Sequence, residues 1–267
     1  MKRHVILTSG RSGSNHLVAA LNHHQELCNF GEVLGPWTLP AKLWSPLARL
    51  GASKSSLLEM IYESRAVYYA AQSVSYWRRR AREEVTHFRS RGSLKSIGVK
   101  EFFLHLRDEE ALSWFVSCQD LSIIHLRRED LLARALSVLR LRETGRAVTR
   151  AGEGGGSALR VDPSELLKLI ADLEAEAGEE GEIIQRLSHQ RVLSLIYERD
   201  LADAAATSAT LGKVCEFLGV DAVEAPETGH RSAVAGRAIE AVENRAEVEK
   251  ALIDSSYGTL LVRHQST

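Results

Sequence analysis

A short apolar run, Val5-Ile6-Leu7, gives way at once to Thr8-Ser9-Gly10-Arg11-Ser12-Gly13-Ser14-Asn15, and Leu17, Val18, Ala20 and Leu21 follow at helical spacing. This pattern reads as a buried strand, a Gly/Ser loop and a helix. Gly10 and Gly13 let the backbone turn tightly and present N–H groups inward, and Ser9 leads into that turn. The helix N-terminus behind them adds positive partial charge, and Ser12, Ser14 and Asn15 add side-chain donors. Such a loop is an anion cradle. It is not a Walker A loop, which needs a lysine after its last glycine and a hydroxyl for magnesium. Here Ser14 follows Gly13 and Arg11 is the only cation of the loop, which disfavours an ordinary ATPase or kinase.

Three more strands are expected, at Ser96–Lys100, Leu121–Leu126 and Arg191–Tyr197, each followed by a helical pattern. Strands alternating with helices imply a parallel sheet covered on both faces. The fold class expected is α/β, a single domain over residues 1–267 with a central parallel sheet, flanking helices and P-loop-like topology. From Ala41 to about Ser90 the pattern is mostly helical and rich in aromatics. The glycine-rich patch around 151–158 reads as a flexible loop. Just after it, Asp162-Pro163-Ser164-Glu165 has the form of a helix start, with Asp162 as cap and Glu165 as capping-box partner.

Composition excludes whole function classes. Lys plus Arg number 34 against 35 for Asp plus Glu, a formal net charge of -1, which disfavours broad capture of nucleic acid or membrane by a global positive field. Any bound anion has to be held by a local cluster of cations. Cys28, Cys118 and Cys215 are scattered and lack paired spacing, which argues against a disulfide framework or a zinc site. The N-terminal apolar run is too short for a signal peptide, and no stretch approaches the ~20 apolar residues of a spanning helix. A cytoplasmic protein is expected.

The loop resembles that of sulfotransferases using 3'-phosphoadenosine 5'-phosphosulfate (PAPS), above all the bacterial carbohydrate branch that includes the trehalose and nodulation-factor enzymes. Arg11-Ser12-Gly13-Ser14-Asn15 is similar to the R-S-G-S-[ST] loop that grips the 5'-phosphosulfate there, with Asn15 in place of the hydroxyl residue. His125-Leu126-Arg127-Arg128 with Ser137 nine residues on resembles that family's 3'-phosphate site, with Arg128 and Ser137 at the matching positions and Arg127 as the alternative clamp. A guanidinium fork grips phosphate at two points and a hydroxyl completes its shell. Tyr197-Glu198-Arg199-Asp200-Leu201 followed by Phe217-Leu218-Gly219-Val220 looks like the YEDL…FLGV segment with one extra residue, which implies Tyr197 in the adenine pocket. His230-Arg231 and Ile239–Asn244 are similar to that family's tail, which implies Arg231 as a further 3'-phosphate contact.

The resemblance implies sulfuryl transfer from PAPS, leaving PAP, to a hydroxyl of a carbohydrate or glycolipid-type acceptor, with no metal, no nucleic-acid partner and room for a homodimer. The region around 40–95 would then lie on the acceptor side, where Trp37, Trp44 or Tyr68 stack on sugar faces. Such transfer needs a base for the acceptor proton and cations for the departing oxygen. Many relatives acting on small hydroxylated compounds carry K-T-H; here Val99-Lys100-Glu101-Phe102 keeps the lysine and replaces the histidine, so Lys100, helped by Arg11, is expected at the bridging oxygen. Glu32, in Phe30-Gly31-Glu32, is the expected base, although the trehalose enzyme's glutamate matches nearer Gly35; His16, His105 and Glu101 are alternatives. Competing readings are a P-loop kinase acting on a small metabolite and a catalytically silent nucleotide-binding scaffold.

Overall fold

A computed structural model describes residues 1–81, 88–145, 158–222 and 238–265. The expected loop at 151–158 falls almost wholly outside them, and Arg231 lies outside them too. In chain order the elements begin with β1 (Lys2–Thr8), α1 (Ser14–Leu21) and β2 (Leu27–Asn29). Three helices follow, α2 (Leu39–Ala48), α3 (Lys54–Glu63) and α4 (Arg65–Arg80). Next come β3 (Ser96–Phe102), α5 (Glu109–Ser117), β4 (Leu121–Arg127), α6 (Leu131–Thr144) and α7 (Pro163–Arg186). The chain continues through β5 (Arg191–Ile196), α8 (Tyr197–Asp200), α9 (Ala204–Leu218), α10 (Arg245–Ile253) and α11 (Thr259–Gln265).

The five strands form one parallel sheet in the order β2-β3-β1-β4-β5. β1 is central, so the Gly/Ser loop leaves the middle of the sheet, at the carboxyl edge where open α/β sheets bind ligands. This is the P-loop-like arrangement expected. β2 was not expected, because three residues are too few for any periodicity to register.

Side chains alternate across the sheet and divide the core. Val5, Leu7, Ile97, Val99, Leu121 and Ile123 face α3, α4 and α5. Ile6, Ile124, Leu126 and Leu195 face α1 and α9, through Leu17, Leu21, Leu211 and Val214. A third cluster joins α6, α7, α10 and α11, through Leu136, Ile170, Val248, Leu252 and Leu261. Asp162 caps α7 by accepting from the Ser164 N–H at 2.8 Å, but Glu165 pairs with Arg142 rather than closing a capping box. Two aromatics expected on the acceptor side belong to the core instead. Tyr68 is fully buried, and Trp44 is half-buried against the same cluster. Cys28, Cys118 and Cys215 are all buried and none is in a disulfide.

One core residue makes stability depend on pH. His4 on β1 is fully buried, with Nδ1 2.8 Å from Ser96 Oγ and Nε2 accepting from the Asn29 amide at 3.2 Å. Gly98 makes room for the ring, since a Cβ there would sit 2.3 Å from His4 Cδ2. Burial pushes His4 down from the ordinary 6.5 to about 3. The unfolded chain therefore takes up a proton that the folded chain refuses. His4's contribution is complete above pH 6.5 and is lost as pH falls toward 3. The expected slope is about 1.4 kcal/mol per pH unit within that window. Urea unfolding at pH 7 and pH 5 measures it, and His4→Gln should flatten it; an equally steep profile in that variant would place the dependence elsewhere.

Candidate functional site

The loop after β1 is held open from several sides. Arg11 and Gly13 both adopt left-handed backbone, with φ of 66° and 79°. For arginine that conformation is uncommon and has to be supported by its surroundings. Arg128 donates to the Arg11 carbonyl at 3.0 Å, and Arg11 Nε donates to Ser137 Oγ at 2.9 Å. Arg134, buried on α6, donates to the Gly10 carbonyl at 2.9 Å and pairs with Glu176 on α7. Ser9 donates to Glu180 of α7, whose other oxygen lies 2.5 Å from His125 Nε2 on β4.

Some hydroxyls of the loop do structural work. Thr8 Oγ1 donates to the Leu126 carbonyl at 2.7 Å and is bonded to Ser12 Oγ. Thr8 has one hydroxyl hydrogen, so Ser12 donates its own to Thr8 and cannot also give it to a ligand. Ser12 thus latches the loop to β1 rather than adding a side-chain donor to the cradle. Ser14 opens α1 behind Gly13.

Two guanidiniums, those of Arg11 and Arg128, meet on one side of this loop. Arg128 is almost wholly buried, with its guanidinium carbon 4.9 Å from the centre of the Tyr197 ring. Its Nε lies 3.4 Å from Glu198 Oε1, within charge-pairing range but without hydrogen-bond alignment, so this buried N–H has no acceptor. Arg127 is the exposed member of the pair and bridges to Glu129, which leaves Arg128 as the residue turned to the loop. Burial first, and then the Arg128 guanidinium, push Arg11 below its ordinary value. Two guanidiniums crowded together with a hydroxyl form a place that an anion would relieve. Tyr197 completes this side. A Cβ on residue 13 would sit 2.5 Å from Tyr197 Cε2, so only glycine permits both the ring's approach and the positive φ.

The other side is built around Lys100. β3 pairs with β1 so that Lys100 lies beside Ile6, on the α1 face of the sheet. It is 1% exposed, and its ammonium donates to Asn15 Oδ1 at 3.1 Å, pairs with Glu32 and lies 4.4 Å from the Phe102 ring centre. Asn15, read from sequence as an amide donor toward a ligand, also orients the lysine by accepting through its oxygen. Glu32 reaches Lys100 because residues 30 and 31 continue beside β3: Phe30 N–H donates to Gly98 and Lys100 N–H to Gly31, both at 2.9 Å. The second Glu32 oxygen accepts from Trp37 Nε1 at 2.8 Å.

Gly35 leaves no room for a carboxylate side chain, since a Cβ would meet Trp37 at 2.7 Å and His105 at 3.1 Å. Glu101 is fully buried, accepts from the Val33 and Leu34 N–H groups and takes His105 Nδ1 at 2.6 Å. That leaves His105 Nε2 buried with no partner, its ring 5.4 Å from Trp37 and 5.7 Å from Phe102.

Arg11, Arg128, Ser137 and Tyr197 thus meet on one side of the loop, and Asn15, Lys100 and Glu32 on the other. Arg134, Glu176 and Glu180 escaped the sequence reading. Their signal was present: Glu176 and Glu180 continue the 3–4 spacing of Leu166, Leu169, Leu173 and Ile183 along α7. A carboxylate on the buried stripe of a helix calls for a buried donor opposite it. Among the described residues no cluster has metal-ligand geometry, and no helix is long and apolar enough to cross a membrane.

No family model and no curated protein matches this chain. Among solved structures, it is similar to the sulfotransferase domain of the Synechococcus PCC 7002 olefin synthase, with 20% identity over 82% of this chain and 73% of that one and a TM-score of 0.41. It is also similar to a sulfotransferase from Alicyclobacillus acidocaldarius, with 13% identity over 100% of this chain and 95% of that one and a TM-score of 0.45. Likenesses this distant assign no activity.

Proposed function

We propose that this chain transfers a sulfuryl group from PAPS to a hydroxyl of a carbohydrate or glycolipid-type acceptor. The observation that carries the reading is Lys100: a buried cation reaches from β3 to the first turn of α1, where the loop has no lysine of its own. Arg128 and Ser137, tied to the loop through Arg11, supply a second anion-binding group, so the site offers two anion positions with Tyr197 beside one of them. That matches a nucleotide carrying charge at both its 3' and 5' ends, and PAPS when bound supplies the sulfuryl group and its leaving phosphate. The orphaned Arg128 N–H and the glycine-only approach at Gly13 support the fit.

In this reading the loop N–H groups and Arg11 hold the 5' end, and Arg128 with Ser137 holds the 3' phosphate. Arg231 is proposed as a further contact there. Lys100 offsets negative charge developing on the departing oxygen, and Glu32 takes the acceptor proton. Glu32 begins as the counterion of Lys100, so an anion that engages the lysine frees the carboxylate for that role. His105 is the second candidate for the base, favoured by its unpartnered, buried Nε2 and the fixing of its tautomer by Glu101.

Thermal unfolding with PAP and with ATP–magnesium tests the donor. A rise in Tm with PAP and none with ATP–magnesium is expected, and the reverse result favours a kinase. Incubation with labelled PAPS and a panel of sugars tests turnover; PAP binding without product would favour a silent scaffold. Glu32→Gln should leave PAP affinity unchanged and lower turnover by about 100-fold or more. Full activity in Glu32→Gln together with loss in His105→Gln would move the base to His105.

A further inference from the structure

Helix α2 is unusual within this fold because it buries none of its own residues. Leu39, Leu43 and Leu47 recur every fourth residue and so share one face, and Leu50 follows two residues past the end of the helix. All four are exposed, Leu43 at 68% and Leu50 at 85%, and Trp37 at the head of the helix is half exposed. Its attachment runs through half-buried Trp44 and the Thr38 hydroxyl, which lies 3.1 Å from the Val33 carbonyl and 2.8 Å from that of Gly35. A contiguous apolar stripe of this kind marks an interaction surface.

The charge pattern selects what it meets. Between Glu32 and Glu59 the chain carries Lys42, Arg49 and Lys54 and no acidic residue. Lys54 pairs with Asp108, whereas Lys42 and Arg49 have no acidic partner among the described residues. Seven residues apart, they share one flank of the leucine stripe. A two-fold interface through this face would gather Lys42 and Arg49 of both copies with no carboxylate from residues 33–58 to offset them. An anionic lipid surface offers acyl chains to the leucines and phosphates to the cations, and its headgroup boundary suits an indole.

We propose that α2, with Trp37 at its head, is an interfacial helix that seats this chain on an anionic lipid bilayer. The helix lies in the membrane plane, with Leu39, Leu43, Leu47 and Leu50 below the headgroups and Lys42 and Arg49 among them. Trp37 also donates to Glu32, so docking would bring the membrane surface to the side of the site where an acceptor enters. The docking itself requires no donor and no turnover.

The test is sedimentation of the full chain with sucrose-loaded vesicles, either of phosphatidylcholine alone or of equal parts phosphatidylcholine and phosphatidylglycerol. Preferential pelleting with the mixed vesicles, weakened by salt, is expected. Leu43→Ser/Leu47→Ser should lower partitioning by about tenfold or more. Lys42→Gln/Arg49→Gln should lower it by about fivefold per charge removed. All four side chains are exposed, and unchanged circular dichroism and Tm would show that both variants fold. Failure to pellet with either vesicle, or pelleting unaltered in both variants, overturns the proposal. Equal pelleting with the two vesicles overturns the anionic assignment. A dimer in light scattering that is lost in the leucine variant, without vesicle binding, reassigns the face to a second copy. Because no catalytic step is read, failure here leaves the sulfuryl-transfer reading intact, and loss of that reading leaves this result standing.

Discussion

Lys100→Met is expected to lower sulfuryl transfer by about 100- to 1,000-fold, the usual cost of removing one preorganised group from developing negative charge. Methionine keeps the length of the buried stem, so packing beneath the sheet survives while the ammonium is lost. The arithmetic favours a large effect because Lys100 is 1% exposed and fixed by three neighbours, Asn15, Glu32 and Phe102. A cation immobilised away from water needs no reorganisation when charge appears beside it. Single-turnover kinetics with labelled PAPS, alongside PAP titration, separate the chemical step from binding. Turnover near that of the unmodified chain would remove Lys100 from the chemistry. Asn15→Ala should weaken the same step less, because it loosens the lysine without removing it.

The second large effect is on affinity. Arg128→Ala is expected to weaken PAP binding by about 30-fold or more, the range for truncating a buried charge that would pair with a ligand. Two losses combine. The guanidinium that would clamp the 3' phosphate disappears, and so does the 3.0 Å bond that supports the left-handed Arg11 carbonyl. Arg128→Lys should recover little, because an ammonium cannot reproduce a planar fork. Isothermal titration with PAP and with adenosine 5'-phosphate, which lacks the 3' phosphate, assigns the loss. In the unmodified chain PAP should bind more tightly; in Arg128→Ala the two ligands should converge. Unchanged preference for PAP in the variant would reassign the 3'-phosphate site, and Arg127 would not inherit it, since it is exposed and bridged to Glu129.

These contrasts show what was legible in advance. Glycines at 10 and 13, an arginine between them and a strand before them point to an anion loop by elementary backbone physics. Four of the five strands were readable because each carries an apolar run that gives way to a loop or helix signal; β2 was not, because its pairing with β3 rather than any pattern of its own makes it a strand. Tyr68 and Trp44 looked available for sugar stacking, since an aromatic in an amphipathic helix has the same sequence signature whether it faces solvent or the core. Trp37 is the one of the three left at the site, because it precedes α2 and leans over Gly35.

The side-chain directions belong to the tertiary structure alone. Asn15 and Lys100 are 85 residues apart, and only the parallel pairing of β3 with β1 sets the lysine against the first turn of α1. On the other edge of β3, residues 30 and 31 continue the β2 pairing and bring Glu32 to Lys100 through a segment that local pattern leaves as loop. Ser12 carries a donor in sequence, yet Thr8 takes its hydrogen because Thr8 has already given its own to the Leu126 carbonyl of the neighbouring strand. By itself the sequence determined that a local cradle, and no global field, would hold any anion bound here. Which cations face that cradle was decided by strand order, because order places residues distant in the chain at one edge of one sheet.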